Sequence, residues 1–144
     1  MDQAQADQVR SICKEKNAFS NYNRIYLESV ADDIAVYTME LRPENWNQYK
    51  MAHGGALYTL ADDAAGTAAY SDGRNYVTQH GDLHFLDNRS HGTIRATGRV
   101  RRRGRSTVLV DVEIADEAGA LLAAGTFTYF CVDPERMAER AQEN

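Results

Sequence analysis

A helical stretch built mainly from small residues is the strongest constraint on how this chain can fold. Alanine and glycine dominate residues 54–70, where Leu57 and Leu60 are the large aliphatic side chains. Small side chains let neighbouring backbone approach closely, whereas a surface helix ordinarily carries longer polar residues. The stretch therefore predicts one slim central helix that a curved sheet wraps closely.

The remainder of the chain is dominated by β-strand signals. Apolar and polar residues alternate in short stretches bounded by glycine, asparagine, aspartate or proline. The predicted strands are residues 22–30, 33–42, 75–87, 92–103, 106–115 and 120–132. We expect the last four to form consecutive hairpins. One central helix and a largely antiparallel sheet make an α+β domain.

Both ends of the chain are expected to lie outside this core. Val9, Ile12 and Cys13 form a short apolar stripe at helical spacing, so residues 1–20 are predicted to form a peripheral N-terminal helix. Pro134 ends the last strand, and residues 133–144 are predicted to form a C-terminal tail with a short helix. The 144 residues fit a single domain, 1–144.

Composition excludes several classes of protein. The 16 Lys and Arg residues are outnumbered by 21 Asp and Glu, with a formal net charge of -5, whereas general nucleic-acid binding needs positive charge. No apolar run approaches the ~18 residues of a membrane span. Cys13 and Cys131 fit neither a disulfide framework nor a zinc site. We therefore expect a cytoplasmic protein with no nucleic-acid or membrane partner, no metal and no cofactor.

One face of the central helix carries an acidic group. On a helical wheel the leucines and most alanines gather on one side, and Asp62 shares the opposite side with Gly55 and Gly66. Asp62 lies two turns from Gly55, so one ligand could reach both only if another surface, such as a symmetric partner subunit, closed over this face. The alternative is that Asp62 and Asp63 are two solvated acids.

The start of the same helix reads His53-Gly54-Gly55. Glycine at a helix start lets a ligand approach free backbone N–H groups, and the helix dipole adds partial positive charge there. Such an arrangement is typical of an oxyanion site. The alternative is a glycine hinge with a capping histidine.

The spacing of these residues resembles a family signature. His53-Gly54-Gly55 is followed, after four residues, by Leu60-Ala61-Asp62. This pattern is similar to that of hotdog-fold acyl-CoA thioesterases of the phenylacetate-degradation (PaaI-like) type. The resemblance covers about residues 20–132, and its other matching positions are Asn47, Val77-Thr78, Leu83 to Leu86, Gly104-Arg105 and Gly119. Lys50 departs from the pattern, since glycine is usual there.

The resemblance implies a fold, an assembly and an activity. In this family a sheet wraps one central helix, two subunits join their sheets, and each active site lies at the dimer interface, often within a tetramer. The implied reaction is hydrolysis of an acyl-CoA thioester. We accordingly expect a homo-oligomer, either a dimer or a dimer of dimers, with a small-molecule acyl-CoA as its other partner.

The resemblance also implies residue roles. Asp62 is the expected nucleophile or general base, and the Gly54 N–H is expected to polarise the thioester carbonyl. Asn47 and His53 are expected to shape that end of the site. Thr78, contributed by the partner subunit, is expected to help hold the attacking water. Gly55 is a further substrate-binding candidate.

An arginine-rich hairpin is a second candidate site. Arg103, Arg105 and Ser106 could bind the phosphates of coenzyme A, because arginine forms bidentate hydrogen bonds with phosphate. The alternative is a solvated hairpin in which Arg99 pairs with Asp111 and contributes little.

These features together predict an acyl-CoA thioesterase that hydrolyses a medium-sized or aromatic acyl-CoA to the free acid and coenzyme A. Two alternatives remain open. One is a non-catalytic acyl-CoA-binding protein on the same fold, in which Asp62 has no chemical role. The other is a nucleotide- or protein-docking hairpin beside a relic thioester site.

Overall fold

The computed structural model describes residues 1–143 and confirms the α+β architecture. The helices are α1 (Gln3–Lys16), α2 (Ala18–Tyr22), α3 (Gly54–Tyr70) and α4 (Pro134–Glu143). The strands are β1 (Ile25–Ala31), β2 (Ile34–Glu40), β3 (Asn75–Phe85), β4 (Thr93–Arg103), β5 (Thr107–Ala115) and β6 (Leu121–Val132). A 3-10 turn, Pro43–Asn45, follows β2. All six predicted strands are present, with ends displaced by at most three residues.

The strands form one antiparallel sheet in the order β1-β2-β4-β5-β6-β3. The predicted hairpins β4–β5 and β5–β6 are present, but the prediction that β3 and β4 form a hairpin is wrong. Instead β3 pairs with β6, from Asn75 opposite Val132 to Phe85 opposite Ala123. Turn residues mark where a chain reverses, whereas the partner of a strand depends on which edge of the sheet is still open. As a result, β1 and β3 are the two edges.

The helix α3 packs against all six strands. Its leucines and most of its alanines are fully buried, as the slim-helix prediction required. The closest approach is at Gly98 of β4, where an added Cβ would lie 2.7 Å from the Ala64 carbonyl oxygen and 2.9 Å from the Ala65 Cα. Strand backbone therefore lies directly on helix backbone, which is possible only because both positions lack long side chains.

The N-terminal segment packs on the outside of this core. Helix α1 begins at Asp2, whose carboxylate accepts the Gln5 N–H while the Gln5 side chain accepts the Asp2 N–H. Ala6 and Val9 are buried. The helix ends at Asn17, which also caps α2, so the predicted single helix over residues 1–20 is two helices.

The C-terminal segment is helical from Pro134 to Glu143, and it has no buried residue. The last residue of the predicted tail, Asn144, lies outside the described residues. Across residues 1–143, no helix has both the length and the apolar character that crossing a membrane requires.

Candidate active site

The N-terminus of α3 presents a backbone N–H group to solvent. His53 is the N-cap, and its Nδ1 accepts the Gly55 N–H at 2.9 Å. Gly54 and Gly55 are both exposed. The Gly54 N–H has no acceptor among residues 1–143. The predicted capping role of His53 is therefore present, the Gly55 N–H is engaged by it, and the Gly54 N–H is available to a ligand.

The loop before α3 is shaped by Asn47. Its side-chain oxygen accepts the N–H groups of Tyr49 at 2.9 Å and Met51 at 3.2 Å. Lys50 adopts a φ of 60°, the left-handed conformation that glycine takes freely. This explains why glycine is usual at that position. Holding a lysine in this conformation costs roughly 1 kcal/mol of folding free energy. Asn47 thus holds the loop that leads into His53, and its role in shaping the site stays a prediction.

Two hydroxyl groups converge on the Asp62 carboxylate near the middle of α3. Thr78 Oγ1 donates to Asp62 Oδ1 at 2.9 Å, and the Tyr129 hydroxyl donates to the same oxygen at 2.6 Å. Thr78 of β3 lies opposite Tyr129 of β6 in the sheet. A β-bulge follows at Gln79, and such bulges redirect side chains beside functional sites. The two hydroxyls fix one carboxylate oxygen, and Oδ2 accepts no hydrogen bond from residues 1–143.

Sequence reasoning missed Tyr129. Its position in β6 is the available signal. Tyr129 lies two residues after the buried Phe127, so both side chains point to the inward face of the strand, and a buried tyrosine hydroxyl needs a hydrogen-bond partner. Burial raises the pKa of Tyr129 far above its ordinary value, and the neighbouring Asp62 charge raises it further. The phenol therefore stays protonated and remains a hydrogen-bond donor to Asp62.

The two halves of the predicted site are separated within one chain. Gly54 and Asp62 are eight residues apart on α3, which is about 12 Å along a helix axis. One thioester group cannot contact both in the same chain. Thr78 contacts Asp62 within the chain, so the expectation that Thr78 comes from the partner subunit does not fit this geometry. Within one chain, the Gly54 N–H is too far from Asp62 to act on the same thioester group.

Asp63, the neighbour of Asp62, is half-buried and points away from the Asp62 hydroxyl pair. Its Oδ2 accepts from Ser20 Oγ at 2.5 Å and lies 3.4 Å from Asn17 Nδ2. Burial raises the pKa of Asp63 to about 6, while the Ser20 hydroxyl opposes that shift. The idea that both acids are merely solvated is thus wrong for Asp63, which anchors the N-terminal segment to α3.

A cavity of about 280 Å³ opens beside Asp62. It lies between α1, α3 and the strands β2, β3 and β6. Its polar lining residues are Asn17, Asp62, Asp63, Thr67 and Thr78. The rest of the lining is Gly66 and the apolar and aromatic side chains of Val9, Ile12, Cys13, Tyr37, Tyr70, Tyr76 and Tyr129. The cavity offers a mainly apolar compartment in contact with the Asp62 carboxylate.

The surroundings of Arg103 do not support its predicted contact with a phosphate. Its guanidinium donates to the Ala69 carbonyl at 2.8 Å and the Ala68 carbonyl at 3.3 Å, at the C-terminal end of α3. It also forms ion pairs with Asp33 at 2.8 Å and Asp72 at 2.9 Å. These partners occupy its donors, so Arg103 ties β4 to the end of α3.

Arg105 and Ser106 are exposed at the turn between β4 and β5. Arg74 donates to the Arg105 carbonyl at 2.7 Å, which holds the turn against the start of β3, a few residues before Thr78. The Arg105 side chain remains available to a ligand on the surface.

A β-bulge changes the ion pairing expected for this hairpin. Arg99 lies opposite Asp111 as predicted, but the register shifts between Val100 and Arg102. Arg101, and not Arg99, forms the ion pair with Asp111 at 2.9 Å.

The described chain carries no cluster of three or more His, Cys, Asp or Glu side chains placed to hold a metal ion. Cys13 and Cys131 are free thiols. The candidate site is thus composed of a carboxylate, hydroxyl groups and a backbone N–H.

Comparison with known proteins identifies the family of this chain. A family model described as the thioesterase superfamily matches residues 49–123, just over half of the chain. The chain belongs to the thioesterase superfamily. This thioesterase is 33% identical over 104 residues to the acyl-coenzyme A thioesterase PaaI of Escherichia coli K12, covering 72% of this chain and 74% of PaaI.

Solved structures extend the similarity to the fold. The PaaI protein from the phenylacetic acid degradation operon of E. coli superposes with a TM-score of 0.84 at 28% identity, covering 90% of this chain and 95% of PaaI. Smu.793 of Streptococcus mutans UA159, solved bound to acetyl CoA, gives a TM-score of 0.71 at 30% identity, covering 75% of this thioesterase and 88% of that chain. The protein is therefore a thioester hydrolase of the hotdog fold.

Proposed function

We propose that this thioesterase hydrolyses a medium-sized or aromatic acyl-CoA to the free acid and coenzyme A. The observation that carries the proposal is the Asp62 carboxylate, held by Thr78 and Tyr129 at the wall of an apolar cavity. A dry cavity of roughly 150 Å³ is enough for benzene, so about 280 Å³ suits an aryl or medium aliphatic acyl group. The similarity to PaaI supports coenzyme A as the carrier of that group.

Asp62 supplies the attacking side of the reaction. Its free Oδ2 either attacks the thioester carbonyl carbon directly or takes a proton from a water that attacks it. In both routes the carbonyl oxygen gains negative charge, and the C–S bond then breaks. The thiolate of coenzyme A takes a proton. In the direct route water then hydrolyses the acyl–Asp62 anhydride and frees Asp62, and in both routes water supplies the hydroxyl group of the acid. Thr78 and Tyr129 keep the carboxylate in one orientation throughout.

The Gly54 N–H of a partner subunit supplies the oxyanion donor. It lies at a helix N-terminus, where the dipole favours negative charge. A preorganised donor of this kind contributes ~3 kcal/mol to the transition state. Because Gly54 and Asp62 of one chain lie far apart, each complete site combines Asp62 of one subunit with Gly54 of the partner subunit.

The geometry of β3 supports such a dimer. β3 is an edge strand; its Thr78 contacts Asp62, and an added Cβ at Gly54 would lie 3.8 Å from Phe85 at its other end. Antiparallel pairing of two β3 strands about a two-fold axis would bring the Thr78 end of one subunit to the Phe85 end of its partner. Each Asp62 would then approach the Gly54 of the partner subunit. Val77, Phe85 and Leu86 are exposed apolar side chains along this edge, as an unfilled interface would require.

We also propose a cytoplasmic location, supported by the two free thiols, which suit a reducing compartment. Dimers are expected as the basic unit, with pairs of dimers as the larger assembly.

Release of free thiol from a panel of acyl-CoAs, followed with a thiol reagent, tests the proposed activity. Wild-type protein is expected to turn over medium and aryl acyl-CoAs, and Asp62→Asn is expected to bind them with little turnover. Binding without thiol release by the wild type would favour the non-catalytic acyl-CoA-binding protein. If the wild type neither binds nor hydrolyses these acyl-CoAs, the remaining alternative is a docking hairpin beside a relic thioester site.

A further inference from the structure

The cavity beside Asp62 is closed on one side by an element outside the matched family region. Val9, Ile12 and Cys13 of α1 line it together with the catalytic carboxylate. The family model begins only at residue 49. The wall that α1 contributes therefore lies outside the part that the family model describes, as β1 and β2 also do.

Helix α1 is held against the core along its length and just beyond its end. Ala6 and Val9 are buried. Asn17, which caps the C-terminus of α1, and Ser20 of α2 contact the Asp63 carboxylate of α3. Because Asp63 directly follows Asp62, this anchor joins the N-terminal segment to the helix that carries the catalytic group.

The middle of α1 is held by a buried hydrogen-bonded group. Cys13 Sγ is 3.2 Å from the Tyr37 hydroxyl, which is 2.7 Å from Thr67 Oγ1 of α3. Burial raises the pKa of the Cys13 thiol, with the Asp63 charge adding to the shift, so the thiol stays neutral and behaves as a small apolar group. The α1 wall is consequently apolar where it borders the cavity.

We propose that α1 is the wall that limits acyl-group size, with Ile12 and Cys13 as specificity-determining residues and Asp63 as a positioning residue for that wall. The inference rests on the proposed thioesterase function. The acyl group of a thioester bound at Asp62 extends into the cavity and ends against α1. Aryl and medium aliphatic groups fit this space, and longer chains meet Ile12 and Cys13.

Substitutions of opposite size test the wall. The quantity to measure is kcat/KM for acetyl-, hexanoyl-, phenylacetyl- and dodecanoyl-CoA. Cys13→Phe should narrow the pocket and lower kcat/KM for the hexanoyl and phenylacetyl substrates by about tenfold or more, while acetyl-CoA is unaffected, because small changes in pocket volume discriminate on that scale. Ile12→Ala should widen it and raise the relative rate on dodecanoyl-CoA.

Matched variants separate this effect from general damage. Ser11→Phe places the same bulky group on the exposed side of α1 and should leave the substrate profile unchanged. Asp63→Ala and Asp63→Asn remove the same charge, but only asparagine keeps an oxygen for Ser20. Asp63→Ala should raise KM for hexanoyl-CoA more than for acetyl-CoA, and Asp63→Asn should restore the wild-type ratio.

The outcomes are decisive in either direction. Wild-type protein that hydrolyses none of the substrates would refute the proposed function. If the wild type is active, equal changes for acetyl and longer substrates in both Cys13→Phe and Ile12→Ala would overturn the role of α1 alone. Should Cys13→Phe fail to fold, an unchanged substrate profile for folded Ile12→Ala would also overturn it.

Discussion

Tyr129 and Asp62 are joined at two points. The Tyr129 hydroxyl lies 2.6 Å from Asp62 Oδ1 and 2.9 Å from the backbone oxygen of the same residue. The phenol thereby fixes the carboxylate relative to the helix backbone that carries it. Because burial and the Asp62 charge raise the pKa of the phenol, the phenol stays protonated and remains a hydrogen-bond donor to the Asp62 carboxylate.

Tyr129→Phe should lower kcat by about 10- to 100-fold, because a hydrogen bond to a charged group contributes about 1.5–3 kcal/mol. KM for acetyl-CoA should change little. Tyr37→Phe is the matched control, since it removes another buried hydroxyl that contacts Thr67 and Cys13 but not Asp62. Thermal unfolding and acetyl-CoA kinetics of the two variants provide the measurement. A larger loss of kcat in Tyr37→Phe than in Tyr129→Phe would contradict the role of Tyr129.

Gly54→Pro removes the N–H assigned to the oxyanion with little cost to the helix. Proline is tolerated at the first helical position, which Gly54 occupies after the His53 cap. We expect kcat to fall by about 10²- to 10³-fold. Gly54→Ala keeps the N–H, and its Cβ would make only an ordinary contact of 3.8 Å with Phe85, so most activity should remain. Circular dichroism checks the fold, and a fully active proline variant refutes the role of the N–H.

A mixture of two inactive variants tests whether the site is shared between subunits. Asp62→Ala damages one half of each site, and Gly54→Pro damages the other. If each site combines Asp62 of one chain with Gly54 of the partner subunit, a mixed dimer regains one intact site, and random mixing restores about a quarter of wild-type activity. Light scattering should show dimers or tetramers. No recovery after the subunits are shown to exchange would refute a site shared between Asp62 of one subunit and Gly54 of its partner.

The pKa of Asp63 predicts how stability depends on pH. Its folded pKa of about 6 exceeds its ordinary value of 3.8, so the folded state binds the proton more tightly than the unfolded state. The contribution of Asp63 to stability therefore decreases as the pH rises from 4 to 6, by at most about 3 kcal/mol. Above pH 6 the full penalty is present.

Asp63→Asn should remove this penalty. We expect the variant to unfold several degrees above wild type at pH 8 and at nearly the same temperature at pH 4. Asp7→Asn, at an exposed position of α1, changes the net charge equally and should show no such pH-dependent gain. Calorimetry at both pH values measures the unfolding temperatures. The assignment is contradicted if Asp63→Asn, compared with wild type, is less stable at pH 8 than at pH 4.

The central helix and its role were predictable because both follow from local sequence. Small side chains over residues 54–70 require close backbone contact, and the structure shows that contact at Gly98. The His53 cap follows from its position directly before the helix, and the separation of Asp62 from the buried leucine face follows from helical periodicity. What local sequence does not contain is the choice of strand partner, so β3 was wrongly paired with β4.

Errors within the site have the same origin. Tyr129 is 67 residues from Asp62 along the chain, and only the pairing of β3 with β6 shows that it belongs with Thr78. The sequence places Arg101, Arg103 and Arg105 close together on one hairpin, whereas tertiary contacts divide them. Arg103 faces the carbonyls that end α3, Arg101 faces Asp111, and Arg105 remains exposed.

That division makes separate predictions for two arginines two positions apart. Arg103→Ala should destabilise the protein, because it leaves the end of α3 and the carboxylates of Asp33 and Asp72 without their shared partner. We expect a loss of about 2 kcal/mol, measured by denaturant unfolding, with any activity loss equal for acyl-CoA and for a short thioester that lacks the nucleotide.

Arg105→Ala should instead leave stability unchanged and raise KM for acyl-CoA severalfold, with kcat nearly constant, because phosphate groups are bound equally in the ground and transition states. The salt dependence of KM should flatten, since one screened charge contact is lost. Hydrolysis of the short thioester should not change. Equal effects of Arg105→Ala on both substrates would show that Arg105 does not bind coenzyme A phosphate and that this hairpin has a purely structural role.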